Sequence, residues 1–119
     1  MVYAVDFKEI VDEAWALYSR RLGEWQFWHN QLEVRYGGKF VANVKRQEAD
    51  ILEVLFLDYP KHYTNEALAV RIGELFERDY NAGSLRSSIG RIRKFTGKLI
   101  PLDRQGGYYL NPEAVPCGN

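Results

Sequence analysis

Between Ser84 and Arg104 stand Arg86, Arg91, Arg93, Lys94, Lys98 and Arg104 against the single carboxylate of Asp103, a local charge of +5 in a chain whose formal net charge is zero. Cations concentrated in this way suit the neutralisation of a polyanion. Arginine adds a reading function, because its guanidinium can donate to two acceptors on one base edge, those of guanine above all. Leu85, Ile89 and Ile92 are interleaved with the cations at helical spacing, and on a wheel of 100° per residue they fall on one side with Ser87, Gly90, Arg91 and Lys94 opposite. A helix entering a major groove needs small residues where its backbone nears the bases and long donors where it reads them. Ser87, Ser88, Arg91 and Lys94 are therefore the expected base-contacting residues, and Arg86, Arg93 and Lys98 are expected to reach sideways to phosphates. Gly90 inside a helix costs about 1 kcal/mol relative to alanine, a cost that close approach to a ligand would offset.

Such a helix needs elements that aim it. Gly97 is placed to close it. Leu99-Ile100-Pro101-Leu102 and Tyr108-Tyr109-Leu110 read as strands pairing across Asp103 to Gly107, with Pro101 tolerable only at an edge. The tip of that hairpin carries Arg104 and Gln105, positioned to enter a minor groove, and Tyr108 is expected at the backbone. Upstream, Thr64 reads as an N-cap, followed by Leu68, Ile72, Leu75 and Phe76 at helical spacing. Thr64 and Asn65 could hold a phosphate through helix-terminal amides or serve the cap alone. Glu77 to Gly83 reads as a polar loop. Ile51, Leu52, Val54, Leu55 and Phe56 mark a central buried helix over Glu48 to Asp58, ended by Tyr59-Pro60.

Ahead of these lie three aromatic and β-branched runs, at Trp25 to Trp28, Leu32 to Tyr36 and Phe40 to Val44. Turn residues separate them, including Gly37-Gly38, which can supply the positive φ angles of a two-residue hairpin. Phe7, Ile10, Val11, Ala14, Leu17 and Tyr18 recur every three or four positions from Asp6 to about Arg21, with acids at the start and Arg20-Arg21 at the end, and so predict an amphipathic helix. Trp15, Trp25, Phe27 and Trp28 are many aromatics for so short a region. They complete the core as the helix folds across the sheet, or they form a homodimer interface.

The bulk properties set the bounds. At 119 residues, 46% of them hydrophobic, the chain suits one domain with one core. The 16 basic and 16 acidic residues cancel, so the case for a polyanion rests on distribution of charge, not on its total. Cys117 is the one cysteine, which leaves no intrachain disulfide and points to a reducing cytoplasm. No apolar run approaches the length of a membrane span, and the start lacks a basic leader. His29 and His62, each beside a turn, assemble neither a zinc set nor a nucleophile pair with Cys117. Gly106-Gly107 lacks the Lys-Ser/Thr of a phosphate loop. Asp12-Glu13 and Asp50-Glu53 read as solvated helix-surface carboxylates. The expectation is a protein without catalytic activity, cofactor or metal.

Several segments resemble the OmpR/PhoB-type winged-helix effector domain of bacterial response regulators. Lys45-Arg46-Gln47-Glu48-Ala49-Asp50-Ile51-Leu52 is similar to that family's Leu-Thr-x-x-Glu-x-x-Leu-Leu, and Tyr63-Thr64-Asn65-Glu66-Ala67-Leu68 to Val-x-Ser-Arg-Glu-x-Leu. Ile89-Gly90-Arg91-Ile92-Arg93-Lys94 resembles Ile-x-Arg-Leu-Arg-Lys of the recognition helix, and Arg104-Gln105-Gly106-Gly107-Tyr108 the wing's Arg-Gly-x-Gly-Tyr. The likeness runs from about Leu32 to Leu110. It implies a base-contacting Arg91, a phosphate-contacting Arg93 and a minor-groove Arg104. The chain departs from the pattern at Gln105, where the family has a wing glycine, and at Arg86, Ser87 and Ser88. In place of the family's receiver it carries a short helical segment, so phosphorylation by a sensor kinase is not implied.

The expected architecture is α+β: a winged helix-turn-helix with a small N-terminal antiparallel sheet and an extra N-terminal helix. Its divisions are residues 1–23 as a helical extension, 24–112 as the winged-helix domain and 113–119 as a flexible tail. The expected function is sequence-specific binding of double-stranded DNA by a small prokaryotic or phage transcription regulator, cytoplasmic and associated with the nucleoid. Residues 84–96 would lie in the major groove and 99–110 at the minor groove. The alternative is a winged-helix adaptor that binds RNA polymerase or another regulator. In some members of the family the segment corresponding to Glu77 to Gly83 touches the polymerase.

Overall fold

A computed structural model of the chain describes residues 19–101 and 107–116. Four short strands open the described chain: β1 (Ser19–Leu22), β2 (Trp25–Trp28), β3 (Glu33–Tyr36) and β4 (Lys39–Asn43). They pair antiparallel in chain order, with Ser19 opposite Trp28, Trp28 opposite Glu33 and Glu33 opposite Asn43. Gly37 and Gly38 adopt φ of +57° and +80°, the left-handed backbone that turns β3 into β4 and that residues with a Cβ resist. Side chains alternate across the sheet as the pleat requires. Trp25, Phe27 and Val34 point into the core, whereas Gln26, Trp28, Glu33 and Arg35 stay partly exposed.

Three helices follow, α1 (Arg46–Leu57), α2 (Asn65–Phe76) and α3 (Ala82–Thr96). Helix α1 is the centre of the molecule, with Ala49, Ile51, Leu52, Val54 and Leu55 all but fully buried. Phe27 stacks on Phe56 at 5.7 Å between ring centroids, which fixes the inner sheet face against α1. Thr64 caps α2, its Oγ1 accepting from the Ala67 amide at 3.1 Å, and the Asn81 Oδ1 accepts from the Ser84 amide at 2.8 Å to start α3. Caps of this kind are worth about 1 kcal/mol each. Gly97, at φ +64°, ends α3.

Four expectations change. Ser19 to Arg21 belong to strand β1, not to the end of a helix. Arg20 lies opposite Phe27 and reaches α1, where its Nε donates to Glu53 Oε2 at 3.1 Å. The rest of the expected N-terminal helix lies outside the described residues. Among the described residues, the segments around Leu99 and Tyr108 do not form the expected strand ladder. Tyr108 bridges Tyr63, each amide donating to the other's carbonyl, and between the two flanks the Asn111 amide donates to Leu99 O at 2.7 Å. The expected loop is shorter than read, since α3 already begins at Ala82. Within the expected tail, Ala114 is buried and its carbonyl accepts from Trp25 Nε1 at 2.9 Å, so the fold reaches past residue 113.

Candidate nucleic-acid interface

Helix α3 is seated by one face. Leu85, Ile89, Ile92 and Thr96 are buried, and fully burying an aliphatic side chain stabilises by about 1.5–3 kcal/mol. A side-chain bond fixes its start, and the buried Thr96 hydroxyl is satisfied within the helix. Gln47 Nε2 donates to Ser84 Oγ at 2.8 Å, tying the start of α1 to the start of α3, and Thr96 Oγ1 donates to Ile92 O at 2.8 Å. The opposite face holds Arg86, Ser87, Gly90, Arg91 and Lys94, all exposed. The helix contains no carboxylate of its own, and Arg93 and Lys94 in its last turn match the negative end of its dipole.

The cations of this helix divide into two groups. Arg91 turns toward α1, where its Nε donates to Glu48 Oε2 at 2.6 Å. Glu48 is buried, and its other oxygen accepts from the Lys45 amide at 2.9 Å as a cap on α1. Arg93 turns the other way. Its Nε donates to Ile100 O at 2.8 Å and its Nη2 to Pro101 O at 3.0 Å, while the guanidinium lies 5.8 Å from the Tyr108 ring centroid. Arg93 thus clamps the segment that leaves α3 for the wing. Between the two clamped arginines, Arg86 and Lys94 have no hydrogen-bonding or ionic partner among the described residues, and neither does exposed Lys98. Gly90 sits in the gap, and a Cβ built there meets nothing within 4 Å.

The other expected site residues vary in placement. Ser87 is exposed, its hydroxyl reaching back to Gly83 O at 3.5 Å. Ser88 is 1% exposed, on the flank where α3 meets α1, so its hydroxyl has no open surface from which to touch a base. Asn65 is buried, with Oδ1 lacking a partner among the described residues, and only Thr64 of that pair faces solvent. Tyr108 holds the strand segment to Tyr63. Arg104 and Gln105 lie outside the described residues. The wing's two flanks nonetheless meet beside the end of α3, through Leu99 and Asn111.

Sequence reasoning missed the polar centre that holds α2 and α3 at their angle. Asp50, read as a surface carboxylate, is fully buried. It accepts from Arg78 Nε at 2.6 Å, from Arg78 Nη2 at 3.2 Å and from the Tyr80 hydroxyl at 2.9 Å, and pairs with His29 Nε2 at 2.7 Å. Burial pushes its carboxyl upward in pKa, but the bonds from His29, Arg78 and Tyr80, with the Arg78 charge, outweigh that and hold it below the ordinary carboxylate range. A second carboxylate, Asp58, accepts from Arg71 Nε at 2.9 Å and from the Tyr63 hydroxyl. Arg71 chiefly holds Asp58 low, and burial with the Asp58 bond pushes the Tyr63 hydroxyl up to about 12. The first cluster locks the connection between α2 and α3, and the second locks that between α1 and α2. Among the described residues no group of His, Cys, Asp and Glu could hold a metal ion, and no helix is long and apolar enough to cross a membrane.

No family model matches the chain, and no curated protein matches it by sequence. Solved structures do match in shape. The DNA-binding domain of Escherichia coli CadC superposes with a TM-score of 0.62 at 16% identity, over 78% of this chain and 91% of that one. The response regulator DrrB, a Thermotoga maritima OmpR/PhoB homologue, gives 0.60 at 20% identity over 92% of this chain. A mutant of RitR gives 0.60 at 18% identity over 93%. The match spans 55% of each of these last two chains, about half their length. A sheet of four antiparallel strands, three helices with the third presenting a cationic face, and a returning strand segment beside Tyr63 together make this an α+β winged-helix fold, similar in shape to the CadC DNA-binding domain and the OmpR/PhoB homologue.

Proposed function

We propose that the chain binds double-stranded DNA in a sequence-specific manner and acts as a small cytoplasmic transcription regulator, with α3 in the major groove. The observation that carries this reading is the outward stripe of α3, where Arg86, Ser87, Gly90 and Lys94 face solvent without any carboxylate nearby on the helix. A cation with a buried partner serves the fold, whereas a cation held on a rigid helix without one is available to phosphates. That CadC's matching domain is described as DNA-binding supports the reading. Lys94 and Ser87 are the foremost base-contacting residues, Arg86 and Lys98 contact phosphates, and Arg104 with Gln105 approach the minor groove. Arg91 joins the readers by exchanging Glu48 for a base, a move its half-exposed side chain permits. Ser88 and the Asn65 side chain are left out because they are buried. Thr64 contributes at most its place at the start of α2, and Arg93 and Tyr108 act by holding the wing segment.

Titration of a random duplex at two salt concentrations tests the proposal. Counterion release makes a genuine binder tighten steeply as salt falls, by about 0.9 in the logarithmic slope for each phosphate neutralised. A flat, weak response at both concentrations would remove the basis for a genomic target.

A second reading has its own observation. Leu57, Tyr59 and Val70, exposed by 39%, 39% and 63%, border a groove of about 640 Å³ between the end of α1 and the outer face of α2, shared with Lys61 and Arg71. Exposed apolar residues ringed by charge fit a protein partner such as RNA polymerase or another regulator. On this reading the winged helix is an adaptor, and duplex DNA leaves it unchanged.

A further inference from the structure

The sheet has two faces, and the described chain covers only one. Trp25, Phe27 and Val34 are sealed beneath α1. On the other side stand Ser19, Arg21, Gln26, Trp28, Glu33, Arg35 and Phe40, which the strand register places in two rows. Arg21, Gln26, Arg35 and Phe40 lie side by side across the four strands, and Ser19, Trp28, Glu33 and Asn43 make the next row. The Arg35 guanidinium lies 5.5 Å from the Trp28 ring centroid and pairs with Glu33, and Phe40 is 57% exposed. Two aromatics and two arginines on one open sheet face form a surface that calls for a cover.

We propose that this face is the docking surface for the chain's own residues 1–18. Three observations select that occupant. The segment enters the sheet directly at Ser19, at one end of the β1 edge, next to Trp28. Its net charge is opposite in sign to that of the face, with Asp6, Glu9, Asp12 and Glu13 against Lys8, where the face carries Arg21 and Arg35 with Glu33. At helical spacing Asp6 and Glu13 would flank the apolar stripe on the side from which they can reach Arg21. Its dimensions fit. A helix over residues 6–17, which the apolar spacing predicts, would run about 18 Å, and four strands roughly 4.8 Å apart span about 14 Å. Phe7, Ile10, Val11, Ala14 and Leu17 would meet Trp28 and Phe40 along that path. A segment joined to the sheet edge also competes at an effective concentration on the order of millimolar, well above that of a second copy in dilute solution. The seat lies across the sheet from α1, so the outward face of α3 stays open and the DNA reading stands or falls separately.

The test places the photoreactive residue p-benzoylphenylalanine at position 40 of the full chain, irradiates at low micromolar protein, and maps adducts by mass spectrometry. The expected result is a species of monomer mass with position 40 joined to residues 1–18, in a yield unchanged over a tenfold range of protein concentration. The same probe at Arg21 should mark the same segment, and at Val70, on the outer face of α2, it should not. Ile10→Asp with Val11→Asp should cut the yield at position 40 at least fivefold while leaving the helical circular dichroism of the domain in place. Adducts of dimer mass that increase with concentration would assign the face to a second copy. Absence of any adduct to residues 1–18 from both positions, or a yield indifferent to the double substitution, would likewise overturn the proposal.

Discussion

Arg78 and Arg86 are eight positions apart, on either side of the start of α3, and their surroundings could hardly differ more. Arg78 spends its guanidinium on Asp50, a buried carboxylate that also engages Tyr80 and His29, and thereby freezes the approach to α3. Arg86 stands on the outward side of α3 with no partner among the described residues. The same division recurs within α3, where Arg91 and Arg93 are held by Glu48 and by the carbonyls of Ile100 and Pro101 while Lys94 is unheld. Cations in this molecule therefore do two jobs. One set builds the angle at which the helix is presented, and the other set is what it presents.

The largest effect separating these jobs should come from Asp50→Ala. Removing the acceptor leaves Tyr80 and His29 without their shared partner beside a buried void. Although Arg78, with its side chain 39% exposed, can turn to solvent, the unsatisfied groups and lost bonds should cost about 1–3 kcal/mol. Urea denaturation should register that loss, and an unchanged midpoint would mean that the cluster is solvated. The same group sets a pH dependence. Because its folded pKa lies below the ordinary value, the stability it adds is present above the unfolded carboxylate pKa of about 4 and is lost as pH falls through the folded pKa. Asp58 acts with the same sign. Asp50→Asn should flatten the acid limb of the stability curve, and an acid limb identical to the parent's would contradict the assignment.

Arg91→Ala sharpens the boundary between the two sets. Its partner Glu48 is buried but the arginine itself is half-exposed, so the stability loss should stay near 1 kcal/mol. Affinity for a selected DNA site should fall by about 1–3 kcal/mol, with little change on random duplex. A stability loss with no change in either affinity would place Arg91 wholly with the structural cations. Arg86→Ala and Lys94→Ala should both leave the urea midpoint where it is, but Arg86→Ala should lower the logarithmic salt slope by about one, whereas Lys94→Ala should cost about 1–3 kcal/mol on a selected site and relax preference at one base pair. Gly90→Ala should move two measurements in opposite directions. Open space around the Cβ lets the alanine stabilise α3 by about 0.5–1 kcal/mol, while duplex affinity declines because the backbone can no longer approach as closely. Tighter binding after that change would remove close approach from the account.

Local pattern made much of this architecture legible. Gly37-Gly38 announced its hairpin, Thr64 its cap and Gly97 its helix end, because each of these depends on a residue's own backbone or on neighbours three positions away. Long-range pairing was not legible. Asp50 looks like any helix carboxylate until the fold brings Arg78 and Tyr80 to it from 28 and 30 residues away. Arg20 and Arg21 resembled the basic end of a helix, and nothing local reveals that Arg20 crosses to Glu53. In the candidate site the helical wheel separated core from surface but could not place Ser88, whose short hydroxyl lies on the boundary and is covered by packing. Nor could it show that Arg91, far from the core on a wheel, and Arg93, on its flank, fold back onto the protein. Stretches that read as strands at Leu99 and Tyr108 carry the right residue types, but Tyr108 finds its partner in Tyr63.

Residue-resolved NMR can show whether the outward stripe of α3 is the surface that meets DNA. A ¹⁵N-labelled sample titrated with duplex at low salt should show its largest amide shift changes at Ser87, Gly90, Arg91 and Lys94, with the Asp50 cluster quiet. Changes centred instead on Leu57, Tyr59 and Val70, or none at duplex concentrations reaching about 10⁻⁴ M, where even non-specific binders respond, would contradict the account.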